Sequence, residues 1–598
     1  MRKRLFSLAM TAAIVAAACG SSATPAPTTG PTKAATAAPT TPPLPDVTKT
    51  NYKPEAIGKK GGKLVTGIAG EPTTIWYTYY DTFANNVDAF GGALWGLWGV
   101  TADLKYYGQL TTSVPTTTNG GVTLTGTKMD VKVDMVPGAQ WSDGTPITCA
   151  DVEATRKFVM DKDNVGLATG TVGYEDITSI DGGTGSSCVL HFGKVYSNYL
   201  GLFGPLLPAK YLATSSVTDA VNKLYTNDAP EKGVYSGPYI PTKWAAGAQT
   251  DFKANAKFWE TIKKAQAPFD TWTLRYYADT AALIAGYKNG EVDVALEFNH
   301  THLDAITKAA IPQAQADATD GVTYEQHSWN MASLTKKFGA AGAKAMMEAI
   351  KYATDKDEIN TRIINKSATP SCSFTSAQTW FYSDIPCYKF DQAKATDVLT
   401  KAGFAKGADG ILALNGNKAE FQACARKDRQ YRVDTLTLLS SQLNKIGIKV
   451  VVNPTTPATI FAGWTGKDSD VLCNLTHGNY DVAEFAWLAT PDPTALYTLY
   501  HSKFDPSVGD HSGQNYIRVN NPDLDKLLET NNTTVDLKII KDNMAKIQDL
   551  YVNPANAFPE VALYNWRTVL LKNAKMHNVV NCGNAATQTW NIEDWWRE

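Results

Sequence analysis

The sequence predicts an α/β fold built from more than one domain, and three observations carry that prediction. At 598 residues the chain is too long for a single core, so two or three domains are expected. Residues 129–158 read as strand, turn and helix. Met129, Val131, Val133 and Met135 alternate with Asp130, Lys132 and Asp134, the period of a half-buried strand. Val136-Pro137-Gly138 stops it, and Asp143-Gly144 is a tight-turn pair. A helix then starts at Thr148, whose hydroxyl can cap the amide three residues on. Asp151 sits in the first turn, where the helix dipole favours negative charge, and Val152, Thr155 and Val159 follow at helical spacing. The third observation is residues 433–446, Gly447 and residues 448–452, a helix–turn–strand unit typical of an α/β layer.

Taken from the start, residues 1–18 read as a signal peptide. Arg2, Lys3 and Arg4 precede a short apolar region over 5–18. Val15-Ala16-Ala17-Ala18-Cys19 resembles a lipobox, which makes Cys19 a lipidated mature N-terminus; the alternative is an ordinary cleavage site beside an incidental Cys. Residues 20–47 are almost wholly Ala, Thr, Pro, Ser and Gly and have nothing to bury. Residues 19–58 are therefore expected to be a lipidated, disordered tether, with a random-coil reach on the order of 30 Å. After residue 18 there is no long uncharged apolar run, so no mature transmembrane helix is expected.

Trp141-Ser142-Asp143-Gly144-Thr145-Pro146, set between the strand and the helix, resembles the signature of family 5 extracytoplasmic solute-binding proteins. These are the peptide, nickel and oligosaccharide receptors of ABC importers. Further matches come in order. Gly61-Gly62-Lys63-Leu64-Val65-Thr66-Gly67 and Glu71-Pro72-Thr73-Thr74 are similar to the family's first strand and turn. Gly237-Pro238-Tyr239 and Gly290-Glu291-Val292-Asp293 are similar to two later landmarks. The resemblance implies a two-lobed periplasmic-binding-protein-like α/β fold (type II, cluster C) with an extra subdomain inserted in the first lobe. The expected divisions are a first lobe over 59–106, the inserted subdomain over 107–230, more of the first lobe over 231–326, a second lobe over 327–563 and a return over 564–598. The chain should cross between lobes near Trp329 and Tyr564.

Other elements come from local pattern. Cys188 opens a strand, residues 271–277 form another, and residues 281–287 form a short helix. Residues 345–354 form an amphipathic helix ending at Asp355, which caps a helix over 358–364. Residues 391–402 form a helix stopped by Gly403. A strand at 480–487, a helix beginning at Pro522 and a return strand at 559–571 complete the second lobe.

No catalytic constellation is assembled. There is no His-Glu-x-x-His, no Gly-x-Ser-x-Gly elbow, no Walker loop and no Rossmann glycine fingerprint. His300-Thr301-His302 has no third ligand nearby and reads as a surface pair rather than a metal site. No cofactor is expected. A net charge of −2 argues against nucleic acid as a partner.

A two-lobed receptor instead needs a cleft with polar and aromatic groups on both faces. The segment 479–493 resembles the family's cleft element, with Trp487 at its cleft end. In peptide-binding members an Asp three residues after that Trp holds the ligand's α-ammonium. Here Thr490 stands at that position, and Asp492 matches the Asp-Pro that comes next. The departure takes away the partner of a free ammonium unless Asp492 or another acid substitutes, so the expected site is neutral, with Trp487 packing against the ligand and Thr490 contributing a neutral hydrogen bond. Asn85 and Asn86 fall where the family's helix meets the cleft, while nearby Trp95 and Trp98 read as core. Trp329, Asn515 and Tyr564 suit either cleft or structure.

Beyond Cys19, seven of the 8 cysteines remain in an oxidising compartment. Cys372 with Cys387, Cys149 with Cys188, and Cys424 with Cys473 are the expected pairs; Cys582 is left over or displaces one of them. The resulting expectation is an extracytoplasmic, membrane-anchored lipoprotein, monomeric and not an enzyme. It captures a small polar ligand, peptide by family frequency, and delivers it to the permease subunits of an ABC importer. An oligosaccharide is the second ligand class, supported by Thr490. A ligand-sensing lipoprotein or a secreted hydrolase is the alternative of another kind. Full-length protein should partition into detergent in a two-phase separation while Cys19→Ala should not; equal partitioning contradicts the anchor.

Overall fold

In the computed structural model, which describes residues 46–72, 90–162, 171–213, 223–465, 470–488, 490–509, 511, 513–583 and 587–598, the folded part opens on β1 (Lys63–Ala69). Next come β2 (Val122–Thr125) and β3 (Lys128–Asp134), with Met129, Val131 and Val133 inward. Helix α1 (Cys149–Met160) is next. Its start is closed by Asp151, whose carboxylate accepts from the N–H of Thr148 at 2.7 Å and of Ala209 at 2.8 Å. β4 (Ile177–Asp181) and β5 (Ser187–Phe192) complete a four-stranded antiparallel sheet in the order β2-β3-β5-β4. The Cys149–Cys188 disulfide ties α1 to β5.

The chain continues through β6 (Tyr239–Ala245), β7 (Gln249–Ala254), β8 (Thr271–Tyr277), α2 (Thr280–Lys288) and β9 (Val294–Asn299). Two long elements succeed them, β10 (Ala316–Trp329) and α3 (Met331–Ala353). The α3 range is two helices broken at Gly339 (φ 69°, ψ 169°): Asn330 caps the first, its side chain accepting from Ser333 N–H at 3.2 Å, and the expected 345–354 falls in the second. Then come α4 (Gln392–Lys401), β11 (Glu420–Arg426), α5 (Gln430–Asn444), β12 (Lys449–Thr455) and β13 (Val482–Leu488). The chain ends through α6 (Pro522–Asn532), α7 (Leu537–Val552) and β14 (Glu560–Lys572).

One 11-stranded sheet runs in the order β12-β11-β13-β10-β14-β9-β1-β8-β7-β6, with Thr369–Pro370 pairing β14 off that path. β10 and β14 lie in the middle, antiparallel to each other, and their residues divide between two cores. Val561, Leu563 and Tyr564 of β14 pack with Trp329, Phe421 and Leu439. Further along the same strand, Val569 and Leu571 pack with Leu283, Val292 and Phe298. These are the two lobes. The four-stranded sheet shares one core with the first lobe, since Met129, Val131 and Cys188 cluster with Leu64, Trp272 and Leu274.

The register of β10 on β14 breaks between Asp320 and Tyr324, and again between Glu325 and Gln326. The first crossing therefore lies at residues 320–324 rather than near Trp329, which is fully buried in the second-lobe core. Gly321 makes the crossing possible: a Cβ there would stand 2.8 Å from Trp566 O and 3.0 Å from Gly583 O. Beside it, Glu325 receives both Arg432 Nε at 2.7 Å and Arg432 Nη2 at 3.0 Å, and Trp566 Nε1 at 3.0 Å, joining β10, α5 and β14. His327 Nε2 lies 3.2 Å from Glu484 Oε2 in the same buried layer. Burial lowers His327 to about 3 and raises Glu484 well above the usual carboxylate range. Burial thus disfavours the charged form of both partners.

The other disulfides, Cys372–Cys387 and Cys424–Cys473, lie in the second lobe, and Cys582 is buried outside all three pairs. Residues 46–58 depart from the expected disordered tether. They have no regular secondary structure, but Thr50 Oγ1 and Asn51 N–H both donate to Asp103 at 2.7 Å, and Glu55 exchanges two hydrogen bonds with Asn578. The composition changes at this point, since Val47, Tyr52 and Ile57 supply what the Ala/Thr/Pro run lacks. Among the described residues no helix is long and apolar enough to cross a membrane. Gly321→Ala should destabilise the protein by about 1–3 kcal/mol, because the obstructing atoms are backbone; an unchanged denaturation midpoint would show that the crossing tolerates a side chain.

Candidate functional site

Strand β13 ends at Leu488, opposite Thr323 of the crossing, so the segment after it emerges between the lobes. There Thr490 and Pro491 form one side of a cavity of about 360 Å³. The facing side comes from the first lobe and its inserted sheet: Trp98, Tyr106, Tyr107 and Gln109, then Asn198 and the 200–205 loop, with Thr587 and Trp590 from the C-terminal segment.

Close backbone approach builds the first-lobe wall. Gly96 lets its segment meet the 203–204 backbone, where a Cβ would stand 2.3 Å from Phe203 O. Leu97 N–H donates to that same carbonyl at 3.2 Å. A chain of hydrogen bonds then runs along the wall. Gly96 N–H donates to Gln109 Oε1 at 3.0 Å, Gln109 Nε2 to Tyr107 OH at 3.4 Å, and Tyr107 OH to Trp590 O at 3.1 Å. Trp98 is almost wholly buried, and among the described residues its Nε1 has no hydrogen-bond partner. That nitrogen is shut off from the cavity surface, so Trp98 gives the wall ring surface rather than a donor.

On the second-lobe side Thr490 Oγ1 donates to Asp492 O, closing its own turn. Asp492 Oδ1 accepts from Thr494 N–H at 2.8 Å and Thr494 Oγ1 at 2.6 Å, capping the short helical turn Pro493–Ala495. Asp492 is half-buried and lines a small recess with Tyr324, Phe374 and Thr490. Burial raises its carboxyl above the usual carboxylate range, against the hydrogen bonds from Thr494. Desolvation raises the Tyr196 and Tyr199 hydroxyls, and the nearby Asp492 charge adds to it, so both stay neutral. Asp492 is therefore an acid held by Thr494 near Tyr196 and Tyr199, with no Lys or Arg hydrogen-bonded or ion-paired to it among the described residues.

The structure thus sets Thr490 in the cavity wall, leaves Asp492 in the small recess beside it, and places the other described sequence candidates elsewhere. Trp487 does not line the cavity. Its ring stacks on Tyr516 with centroids 6.0 Å apart and meets Phe485 edge-on at 5.3 Å. Trp329 meets Phe421 edge-on inside the second-lobe core. Asn515 is fully buried, and its Nδ2 donates to His501 O and Val519 O, a structural clamp. Tyr564 is fully buried against His300, with ring centroids 5.1 Å apart. His300 and His302 do not share a ligand site: His300 packs among Tyr431, Tyr564 and Trp566, while His302 Nδ1 accepts from Asn299 N–H at 3.1 Å. Burial lowers their pKa values to about 3 and about 4. Asn85 and Asn86 lie outside the described residues. Tyr106, Tyr107, Asn198 and Trp590 are not legible as site residues in the sequence: the first two lie on a strand of three residues, Tyr106–Gly108, and the others on turns, and neither is long enough to carry a periodic signal.

The family model described as bacterial extracellular solute-binding proteins, family 5 Middle, matches residues 105–507. Protein XP55 of Streptomyces lividans is 24% identical over 504 residues, spanning 83% of this chain and 82% of that protein. The oligopeptide-binding protein AppA from Bacillus subtilis, solved in complex with a nonapeptide, superposes with a TM-score of 0.68 at 22% identity, covering 91% of this chain and 100% of that one. The periplasmic EDTA-binding protein EppA superposes with a TM-score of 0.73 at 17% identity, covering 90% and 97% of the two chains.

Proposed function

Since the chain belongs to the bacterial extracellular solute-binding proteins of family 5, non-enzymatic receptors that serve the permeases of ABC importers, we propose that its interlobe cleft captures a peptide and that Cys19 anchors the protein to the membrane by lipid. The observation that carries the cleft assignment is the cavity of about 360 Å³ whose wall sets Thr490 and Pro491 of the second lobe opposite Trp98, Tyr106, Tyr107 and Trp590 of the first. That volume falls in the range of small-molecule sites. The rings of Trp98, Tyr106, Tyr107 and Trp590 offer apolar surface to the ligand body.

Peptide is favoured over oligosaccharide by Asp492. Its raised carboxyl marks a group that gains from a cation, and a free α-ammonium supplies one. Thr490 then contributes a neutral contact from the position where the acid stands in peptide-binding relatives. The oligosaccharide reading keeps its support in the aromatic wall and in Thr490, since sugars need rings and hydroxyl partners rather than a charge. Signalling to a membrane partner instead of transport would use the same cleft.

Thermal-shift screening with peptide and oligosaccharide libraries identifies the class, because a ligand that binds the folded state raises the melting temperature by mass action. Calorimetry on a matched pair differing only in N-acetylation then tests Asp492. Wild type should bind the free amine about tenfold more tightly, and Asp492→Asn should lose that preference. Because the Asp492 carboxyl is raised, the preference should fade as the pH falls through its elevated pKa and persist above it. Equal binding of the two ligands by wild type, or a hit confined to oligosaccharides, would overturn the peptide reading.

A further inference from the structure

The docked segment 46–58 touches the protein at several places, among them Glu55 on Asn578 and His577, and two of its contacts fall on residues that line the cavity. Tyr106 N–H donates to Val47 O at 2.9 Å. In the turn before Tyr106, Asp103 receives Thr50 Oγ1 and Asn51 N–H, each at 2.7 Å. Further along, the Tyr52 ring meets Trp590 edge-on, with centroids 4.7 Å apart. The Tyr52 hydroxyl donates to Asp594 Oδ2 at 3.0 Å and accepts from Asn591 Nδ2 at 2.8 Å. Asn591 is itself held by Trp595, whose Nε1 donates to its Oδ1 at 2.8 Å. Trp590 is thus gripped by Tyr52 on one side and by Tyr107, through Trp590 O, on another. Both Tyr106 and Trp590 line the cavity.

We propose that residues 46–58 are a strap that shapes the ligand site, with Tyr52 as a positioning residue that fixes Trp590 as one cleft wall while Val47 and the Asp103 turn fix Tyr106 as another. This rests on the reading of the interlobe cavity as the ligand site. The strap comes immediately after the Ala/Thr/Pro-rich stretch that leads to Cys19, so the attachment of the chain to its tether and the shape of the cleft share the same residues. The coupling is reciprocal: a ligand pressing on Trp590 and Tyr106 holds the strap down, and a docked strap keeps those rings in place for the ligand. Without the strap the rings remain attached to the fold but lose their backing, and a binding wall that is not held by a supporting layer loses affinity.

The test uses the full chain labelled with 5-fluorotryptophan, with the Trp590 resonance assigned by Trp590→Phe. Tyr52→Ala removes both the ring contact and the hydroxyl; Tyr52→Phe keeps the ring. Thr48→Ala is the control, because the Thr48 side chain bonds only to Asp46 within the strap. Tyr52→Ala should shift or broaden the Trp590 line and weaken binding of a random pentapeptide pool about tenfold, the loss of a supporting contact in a binding wall. Tyr52→Phe should restore the line close to its wild-type position, and Thr48→Ala should leave it unmoved. A Trp590 line unchanged in folded Tyr52→Ala overturns the strap. Should Tyr52→Ala fail to fold, hydrogen exchange of residues 46–58 in wild type decides: slower exchange with the pool present supports the coupling, and equal exchange contradicts it. A wild-type Trp590 line indifferent to peptides that raise the melting temperature would instead remove the cleft assignment, and with it the basis of the proposal.

Discussion

The pairing of β10 with β14 is the constraint on which the rest of the molecule depends. Each strand begins in one core and ends in the other, so one antiparallel ribbon carries both crossings between lobes. The ribbon is continuous in hydrogen bonding yet broken in register between Asp320 and Tyr324. A bulge of this kind unpairs a residue and bends the strand locally, which is what a connection that must flex requires. Gly321 supplies the room, and the Arg432–Glu325–Trp566 cluster fixes the second-lobe end of the bend. That ion pair is buried, bidentate and hydrogen-bonded a third time, the arrangement in which a buried charge is tolerated.

Everything functional is placed relative to this ribbon. β13 pairs with the second-lobe half of β10 and delivers Thr490 and Pro491 to the gap. On the other side, the chain between β1 and β2 and the C-terminal segment after β14 deliver Trp98, Tyr106 and Trp590. The opposed surfaces differ in character: a hydroxyl and a proline stand opposite a wall of rings. A hinge at the ribbon would move these surfaces relative to each other without repacking the cores on either side.

How much of this is legible in the sequence depends on how local each signal is. The β3–turn–α1 stretch is, because a period of two, a Pro-Gly stop and an acidic first turn each point to one structure. The same holds for β8 at residues 271–277 and for the helix–Gly–strand unit around Gly447, and the three cysteine pairs placed within shared subregions are the pairs that the structure joins. The sequence puts the crossing too late because β10 is polar on both sides of the bend, with Asp317, Thr319 and Asp320 before it and Glu325, Gln326, His327 and Ser328 after it, so no apolar alternation marks where one core gives way to another. Trp329 and Tyr564, candidates for a cleft, prove to be core fillers, the commoner fate of large aromatics at strand ends. Trp98 is the reverse case, a residue with the look of core that forms part of the cavity wall. The docked strap is hidden by its neighbours, since a few apolar residues after a long low-complexity run are too sparse to form a pattern.

Closure of the two lobes about the β10–β14 ribbon is tested most directly by pulsed dipolar spectroscopy between spin labels on the two lobes, at Lys253→Cys in β7 and Lys445→Cys after α5, both on exposed positions. On addition of a ligand that raises the melting temperature, the distance distribution should narrow and move to shorter values, and Gly321→Ala should blunt that change. A distribution that stays the same while the ligand is bound would contradict closure about the ribbon.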